Sequence, residues 1–407
     1  MVSFLNGLRV VEGASFIAGP SCGLHLAQMG AEVIRFDQIG GGPDFHRWPR
    51  AQNGASFYWE GLNKGKKSVA IDLSRPEGRE LAVAIATAPG ENAGLFITNF
   101  PVKGFLAYDH LAAIRKDIIC LRVMGWADGT QAVDYTINCA VGLPMMTGHP
   151  DDPRPVNHVL PAWDLLAGAH GAFALLAAER ERRTSGIGRE LQLSLSDLAA
   201  ATLANMGQVA EVTAQGADRP RSGNDLFGAF GRDFVTQDGV CFMIVAITAR
   251  QWQGLIEACG LVDAIATLER ELGITFAKDE GLRFIHRARL IPLFEAAIAV
   301  RDAAELEKAF EARGVCWSRY RTLSEAIASE PRLFAQNPIF SSVSHPSGAS
   351  YLTPGAAVRL PGEPRSPGAT APRLGQHTDE VLASVLNLSS AEIGRLHDQS
   401  LIAGITP

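Results

Sequence analysis

The chain has no excess of basic residues: 37 Lys and Arg stand against 43 Asp and Glu, a net charge of −6 over 407 residues. A global basic surface is thereby excluded, and nucleic acid is not an expected partner. None of the six cysteines (Cys22, Cys120, Cys139, Cys241, Cys259 and Cys316) has a CxxC partner. They lie in apolar segments and read as small buried hydrophobes of a reducing compartment. The ten histidines form no HxxxH or HExxH pair, so no metal is expected. The opening MVSFLNGLRVVEG lacks the basic and apolar regions of a signal peptide. The longest apolar run, Leu165 to Ala178, is too short to span a bilayer and contains His170. A cytoplasmic protein with no membrane partner is therefore expected.

What is present suits a large globular protein. The composition is 47% hydrophobic and 20% charged, enough for two domains with substantial cores. Leu8 to Glu12 reads as a strand, and Gly19-Pro20 opens a helix that runs to Gly30. Ala31 to Phe36 is the next strand, completing a βαβ unit. Similar β-rich runs recur at Ser68–Leu73, Gly94–Thr98 and Ile118–Val123. This alternation predicts a parallel, doubly wound α/β sheet. A long helix is expected from about Asp164 to Arg183, then a strand over Arg189–Leu195, then a helix capped by Ser196-Asp197. Turn-rich residues 214–225 mark a boundary. The expected divisions are 1–213 for a first large domain, 226–330 for a small α+β domain, and 344–407 for a C-terminal segment. Residues 344–375, dense in Pro, Gly and Ser, read as a long connection.

Three motifs could carry chemistry. The turn Gly13-Ala14-Ser15-Phe16-Ile17-Ala18-Gly19-Pro20 lets a ligand approach the backbone at a helix N-terminus. Its spacing is not the GxGxxG of dinucleotide sites, although Asp37 ends the second strand; the alternative is a simple βα turn. Lys64, Lys66 and Lys67 could hold phosphates, or could form a solvated turn. Asp164, after Trp163, could be a plain helix N-cap. It could equally be a nucleophilic carboxylate, since acyl transfer through an aspartyl anhydride needs one that is partly desolvated.

Taken together, these segments resemble the family III CoA transferases. The string GLRVVEGASFIAGPSCGLHLAQMGAEVIRFD is similar to that family's opening. Asn63–Leu73, Thr98-Asn99-Phe100, Thr184–Leu191 and Pro372–Thr378 resemble further family motifs in order. Trp163-Asp164 with Gly168 matches its D-x-x-x-G, whose Asp is the nucleophile. The resemblance implies a Rossmann-like large domain with a parallel sheet plus a small α+β domain, interlocked as a homodimer. It implies coenzyme A as part of the substrate, with no permanently bound cofactor. Ala18, Lys64, Lys66, Lys67, Asn99, Phe100 and Tyr135 would meet coenzyme A, and Ile17, Gly228, Gly231 and Arg232 the acyl group.

Departures from the family narrow the substrate. Formyl-CoA transferases have Gln where this chain has Ile17 and Arg where it has Gln38, so a formyl or oxalyl substrate is disfavoured. Related racemases use a His-Asp pair where this chain has Val133-Asp134, so the general base for racemisation is expected to be missing. Arg221 to Phe234 and Asp134-Tyr135-Thr136 resemble members that move CoA between the two carboxyl groups of one mesaconate. Arg232 could hold the idle carboxylate, or could be a surface residue. The rivals are intermolecular transfer to another dicarboxylate, such as succinate, and a non-catalytic CoA-binding protein.

Overall fold

The computed structural model describes residues 3–405. From the N-terminus, strands and helices alternate as β1 (Arg9–Gly13), α1 (Ala18–Gln28), β2 (Glu32–Gln38), α2 (Phe57–Asn63), β3 (Lys67–Ile71), α3 (Pro76–Ala86), β4 (Leu95–Thr98), α4 (Tyr108–Ile114), β5 (Ile119–Met124), α5 (Asp134–Ala140), α6 (Leu143–Met146), α7 (Ala162–Ser185), β6 (Arg189–Ser194) and α8 (Leu195–Asn205). The first six strands form one parallel sheet in the order β3-β2-β1-β4-β5-β6. A short strand β12 (Ile402–Ala403), unforeseen from sequence, pairs antiparallel with β3 and returns the chain end to this sheet.

The strands are apolar on both faces because helices cover both. Neighbouring residues point opposite ways, so Val11 joins Phe36, Val69 and Phe96 in one core, and Val10 joins Val33, Ile97 and Leu121 in the other. The second core also takes Cys22 and Leu26 from α1 and Ala172 and Leu175 from α7. The strand order reverses between β1 and β4. Ligands of doubly wound sheets bind at the carboxyl ends of the strands at such a point.

The chain divides into two compact units. One comprises residues 1–141, 158–214 and 331–407; the other comprises 142–157 and 215–330. The stretch 142–157, placed with the large domain from sequence, thus belongs to the second unit. That unit holds an antiparallel sheet, β7 (Phe230–Val235), β8 (Cys241–Ala246) and β9 (Cys316–Arg319), in that order. Phe230, Phe242, Trp252, Phe294 and Phe310 fill its core. The Pro- and Gly-rich return, expected to be irregular, opens on a hairpin of β10 (Phe340–Ser344) and β11 (Ser350–Pro354). Buried Glu60 of α2 anchors it by accepting from Ser347 N–H at 2.6 Å and Tyr351 O–H at 2.8 Å.

Two helix starts also differ from expectation. α7 begins at Ala162, so Asp164 lies inside the first turn. The cap of α8 is Ser194, whose hydroxyl accepts from Asp197 N–H; the strand therefore ends directly in the cap.

Charge is buried beneath α1. Fully buried Glu12 of β1 receives Lys66 Nζ at 2.9 and 3.0 Å and Arg35 Nη1 at 3.4 Å. Lys66 also donates to Pro20 O at 2.8 Å, tying the network to α1, and Arg35 donates to Asp37 and Asp44. A buried ion set persists because its members satisfy one another, and removing one partner strands the rest. Lys66→Met is expected to lower unfolding free energy by about 3–5 kcal/mol, whereas Lys67→Met, which breaks partly exposed pairs, should cost about 1 kcal/mol or less. Urea unfolding monitored by circular dichroism checks both; equal stability of the two variants would contradict a structural role for Lys66.

Candidate active site

The site is built on the contact between α1 and α7. A Cβ on Gly168 would lie 2.0 Å from Ser21 Oγ and 3.1 Å from Ala18 O. One on Gly171 would lie 3.5 Å from Cys22 Sγ. The helices therefore run side by side in the same direction, with no side chain to hold them apart. Asp164 is one turn before Gly168 on the same stripe. That places it level with residues 14–17, the turn leading from β1 into α1. The D-x-x-x-G spacing thus has a mechanical meaning: glycine permits the approach, and the aspartate four residues earlier is carried to the N-terminus of α1.

This turn is fastened from two sides. Asn99, at the end of β4, accepts from Ser15 N–H at 3.1 Å and donates to Ser15 O at 2.9 Å. Asp44 accepts from Phe16 N–H at 3.1 Å. Phe16 has φ +70°, a left-handed conformation that a side chain adopts at a cost of about 1–3 kcal/mol. Ile17 caps α1 and is buried, as is Ala18. The first N–H groups of α1 have no partner within the helix and face the end at which Asp164 sits.

Asp164 is half-buried, and its neighbours set its chemistry. Asp134, at the start of α5, accepts from Trp163 N–H at 2.7 Å and Asp164 N–H at 3.2 Å. It therefore caps α7 from another helix, because Pro161, at the capping position, makes no side-chain hydrogen bond. Trp163 is buried and donates Nε1–H to Asn138 Oδ1 at 3.1 Å. Burial, then the Asp134 charge, pushes the Asp164 carboxyl up to about 7, against the lowering influence of Arg47. A carboxylate so destabilised as an anion is a stronger nucleophile than one in water.

His158 was not singled out from sequence. Its Nε2 lies 2.5 Å from Asp134 Oδ1, and its ring meets Tyr135 edge-on at 5.6 Å. An imidazole thus does stand beside Asp134, supplied from 24 residues downstream instead of the preceding position. No short motif could reveal this pairing.

The other expected residues fall in several places. The three lysines do not form one phosphate-facing cluster. Lys66 is consumed in the core, and Lys64 is buried and donates to Gly61 O. Lys67 pairs with Glu32 at 2.6 Å and Glu380 at 2.8 Å. Their common charge suggested a patch, but buried Glu12 draws one of them inward. Asn99 holds the β1–α1 turn, Phe100 packs against the first core, and Tyr135 is partly exposed beside His158. Gly228 precedes β7 in the second unit, and Gly231 lies on it. Arg232, also on β7, is within 3.6 Å of Asp225 and 3.8 Å of Asp233.

The chain was compared with known proteins. The model of CoA-transferase family III matches residues 5–378. The chain is 50% identical to a 2-methylfumaryl-CoA isomerase of Chloroflexus aurantiacus, covering 99% of each chain. It is 29% identical to a succinyl-CoA–D-citramalate CoA-transferase of the same organism, covering 98% of each. A CaiB/BaiF family protein from Brucella suis has the same fold, with a TM-score of 0.75 at 24% identity over 95% of this chain and 100% of that one. The half-buried aspartate at a helix start, the glycine one turn after it and the match over residues 5–378 agree: the chain belongs to CoA-transferase family III.

Proposed function

We propose that the protein moves coenzyme A from one carboxyl group of mesaconate to the other within a single molecule, with Asp164 as the nucleophile. The position of Asp164 in the first turn of α7, one turn before the Gly168 contact with α1, is the observation that supports the mechanism. The 50% identity to a 2-methylfumaryl-CoA isomerase over 99% of both chains supports the substrate.

An Asp164 oxygen attacks the C1 thioester carbonyl and expels CoA thiolate, leaving a mixed anhydride. The thiolate attacks the aspartyl carbonyl, giving an Asp164–CoA thioester and a free C1 carboxylate. The C4 carboxylate then attacks that thioester, again releasing thiolate. Attack of thiolate on the C4 carbonyl regenerates Asp164. Each step passes through a tetrahedral oxyanion, for which the first-turn N–H groups of Ala18 and Gly19 are suitable donors. Coenzyme A enters as part of the substrate, so no permanent cofactor is needed. Holding mesaconate throughout makes the second attack effectively unimolecular. We further propose a cytoplasmic homodimer; the six free cysteines support a reducing compartment, and the family resemblance supports the dimer.

Asp164→Asn is expected to reduce turnover of mesaconyl-CoA by at least ~10³-fold, since it removes the group that forms the covalent intermediate. It should also stabilise the fold. Between pH 3.8 and about 7 the folded protein holds a proton on Asp164 that the unfolded chain has released, so wild-type stability falls as pH rises through that window. Asparagine carries no such penalty. Its advantage in Tm should grow across the window and be complete above pH 7. A variant that turns over normally, or that is less stable than wild type at pH 8, would count against the assignment.

The ionised carboxylate is the reactive form, so kcat/KM should rise with pH and level off above about 7. Asp134→Asn keeps an oxygen for the Trp163 and Asp164 N–H groups but removes the neighbouring charge. Its profile should therefore level off at lower pH. An unshifted profile would mean that the Asp134 charge does not govern the nucleophile.

Isomerisation in excess carbon-13-labelled free mesaconate distinguishes the transfer modes. Label should stay out of the CoA ester. Rapid incorporation, or a requirement for added acid, would identify an intermolecular transferase.

A further inference from the structure

Resting on that reading, we infer that Arg47 and Tyr58, neither of which belongs to the D-x-x-x-G motif, form the subsite that receives the idle carboxylate of the substrate and thereby select dicarboxylic acyl groups. Three observations on the same unit lead there.

The first is an unspent cation. Arg47 is an exposed residue, and its guanidinium lies 5.6 Å from the Phe16 ring centroid and 5.3 Å from that of Tyr58. Among the described residues it makes no hydrogen bond or ion pair. The nearest carboxylate in sequence, Asp44, is already engaged: both its oxygens receive Arg35 Nη2, at 3.0 and 3.1 Å, and Oδ2 also receives Phe16 N–H. Arg47 is thus held in place by aromatic faces while all of its donors stay available.

The second is an orphaned hydroxyl. Tyr58 Oη is buried and has no hydrogen-bond partner. A buried O–H without a partner costs free energy unless a ligand completes it. The Tyr58 hydroxyl feels the charges of both Arg47 and Asp164, so the three groups share one region.

The third is the relation to the nucleophile. Asp164 also feels the Arg47 charge, yet the two form no ion pair. Pairing would quench the nucleophile, whereas a cation set off from it can hold a second carboxylate of the same small molecule. A planar guanidinium fork matches a carboxylate, and a phenol hydroxyl adds a third donor. Arg232, expected from sequence to have this role, already has two carboxylates within 4 Å.

The test compares mesaconyl-CoA with tiglyl-CoA, which has a methyl group in place of the free carboxylate. Measurements are made well above pH 7, so that Asp164 is ionised in every variant. Arg47→Gln should lower kcat/KM for isomerisation by ~10- to 100-fold, the scale of a charge-assisted hydrogen bond. The inhibition constant of tiglyl-CoA should not change. Arg47→Lys, which keeps charge but loses the fork, should fall between. Tyr58→Phe, which removes only the hydroxyl, should repeat the selective loss more weakly. Arg232→Gln should isomerise mesaconyl-CoA normally. Equal weakening of both CoA esters by Arg47→Gln would show a merely structural residue, and normal isomerisation by Arg47→Gln and Tyr58→Phe would exclude the subsite. Wild-type protein that leaves mesaconyl-CoA unchanged would instead overturn the proposed function, and this inference with it.

Discussion

The bare contact between α1 and α7 is the constraint on which the site depends. Two helices with side chains between them pack 8–10 Å apart. Gly168 and Gly171 remove that spacer on one helix, and Ala18, Ser21 and Cys22 present small groups on the other. This close approach sets the height of Asp164 against the β1–α1 turn. It also explains why so much structure converges on α1. The Glu12–Lys66–Arg35 network ties its first turns from below, and Asn99 and Asp44 fasten the turn that feeds it. Under the proposed mechanism Asp164 would tolerate little displacement, because reacting atoms must meet within about 3–3.5 Å.

Electrostatics then makes the placed carboxylate useful. Asp134 does several things at once: it completes the open N–H groups of α7, engages His158, and sets a negative charge beside Asp164. The same carboxylate that stabilises the helix start destabilises the ionised form of Asp164. Under the proposed mechanism, stability is thereby exchanged for reactivity at a single residue. Arg47 counteracts this in part without forming an ion pair with Asp164.

Some of this was readable along the chain. The alternation of β-rich runs and helices established the doubly wound sheet, because parallel strands covered on both faces must be apolar throughout. Asp164 and Gly168 stood out through their resemblance to the family's D-x-x-x-G, a motif that spans one helical turn and so involves no distant partner. The turn from Gly13 to Pro20 was legible for the same reason, since glycine and proline act on their own backbone.

What could not be read was every feature whose meaning depends on a partner distant in sequence. Lys64, Lys66 and Lys67 look alike in a row, yet Lys66 is fully buried because Glu12, 54 residues earlier, needs a cation. His158 acquires a role only when the fold brings it to Asp134, and Arg47 is left free only because Arg35 has already taken Asp44. The irregular return contained a hairpin that Glu60 anchors from α2. By itself, then, the sequence determined the periodic elements and the helical turn that carries Asp164, since backbone geometry and hydrophobic period are short-range properties. The tertiary structure alone decided which charges pair, which stay unspent and how acidic Asp164 is, because desolvation and Coulomb forces act through space between residues that the chain does not place side by side.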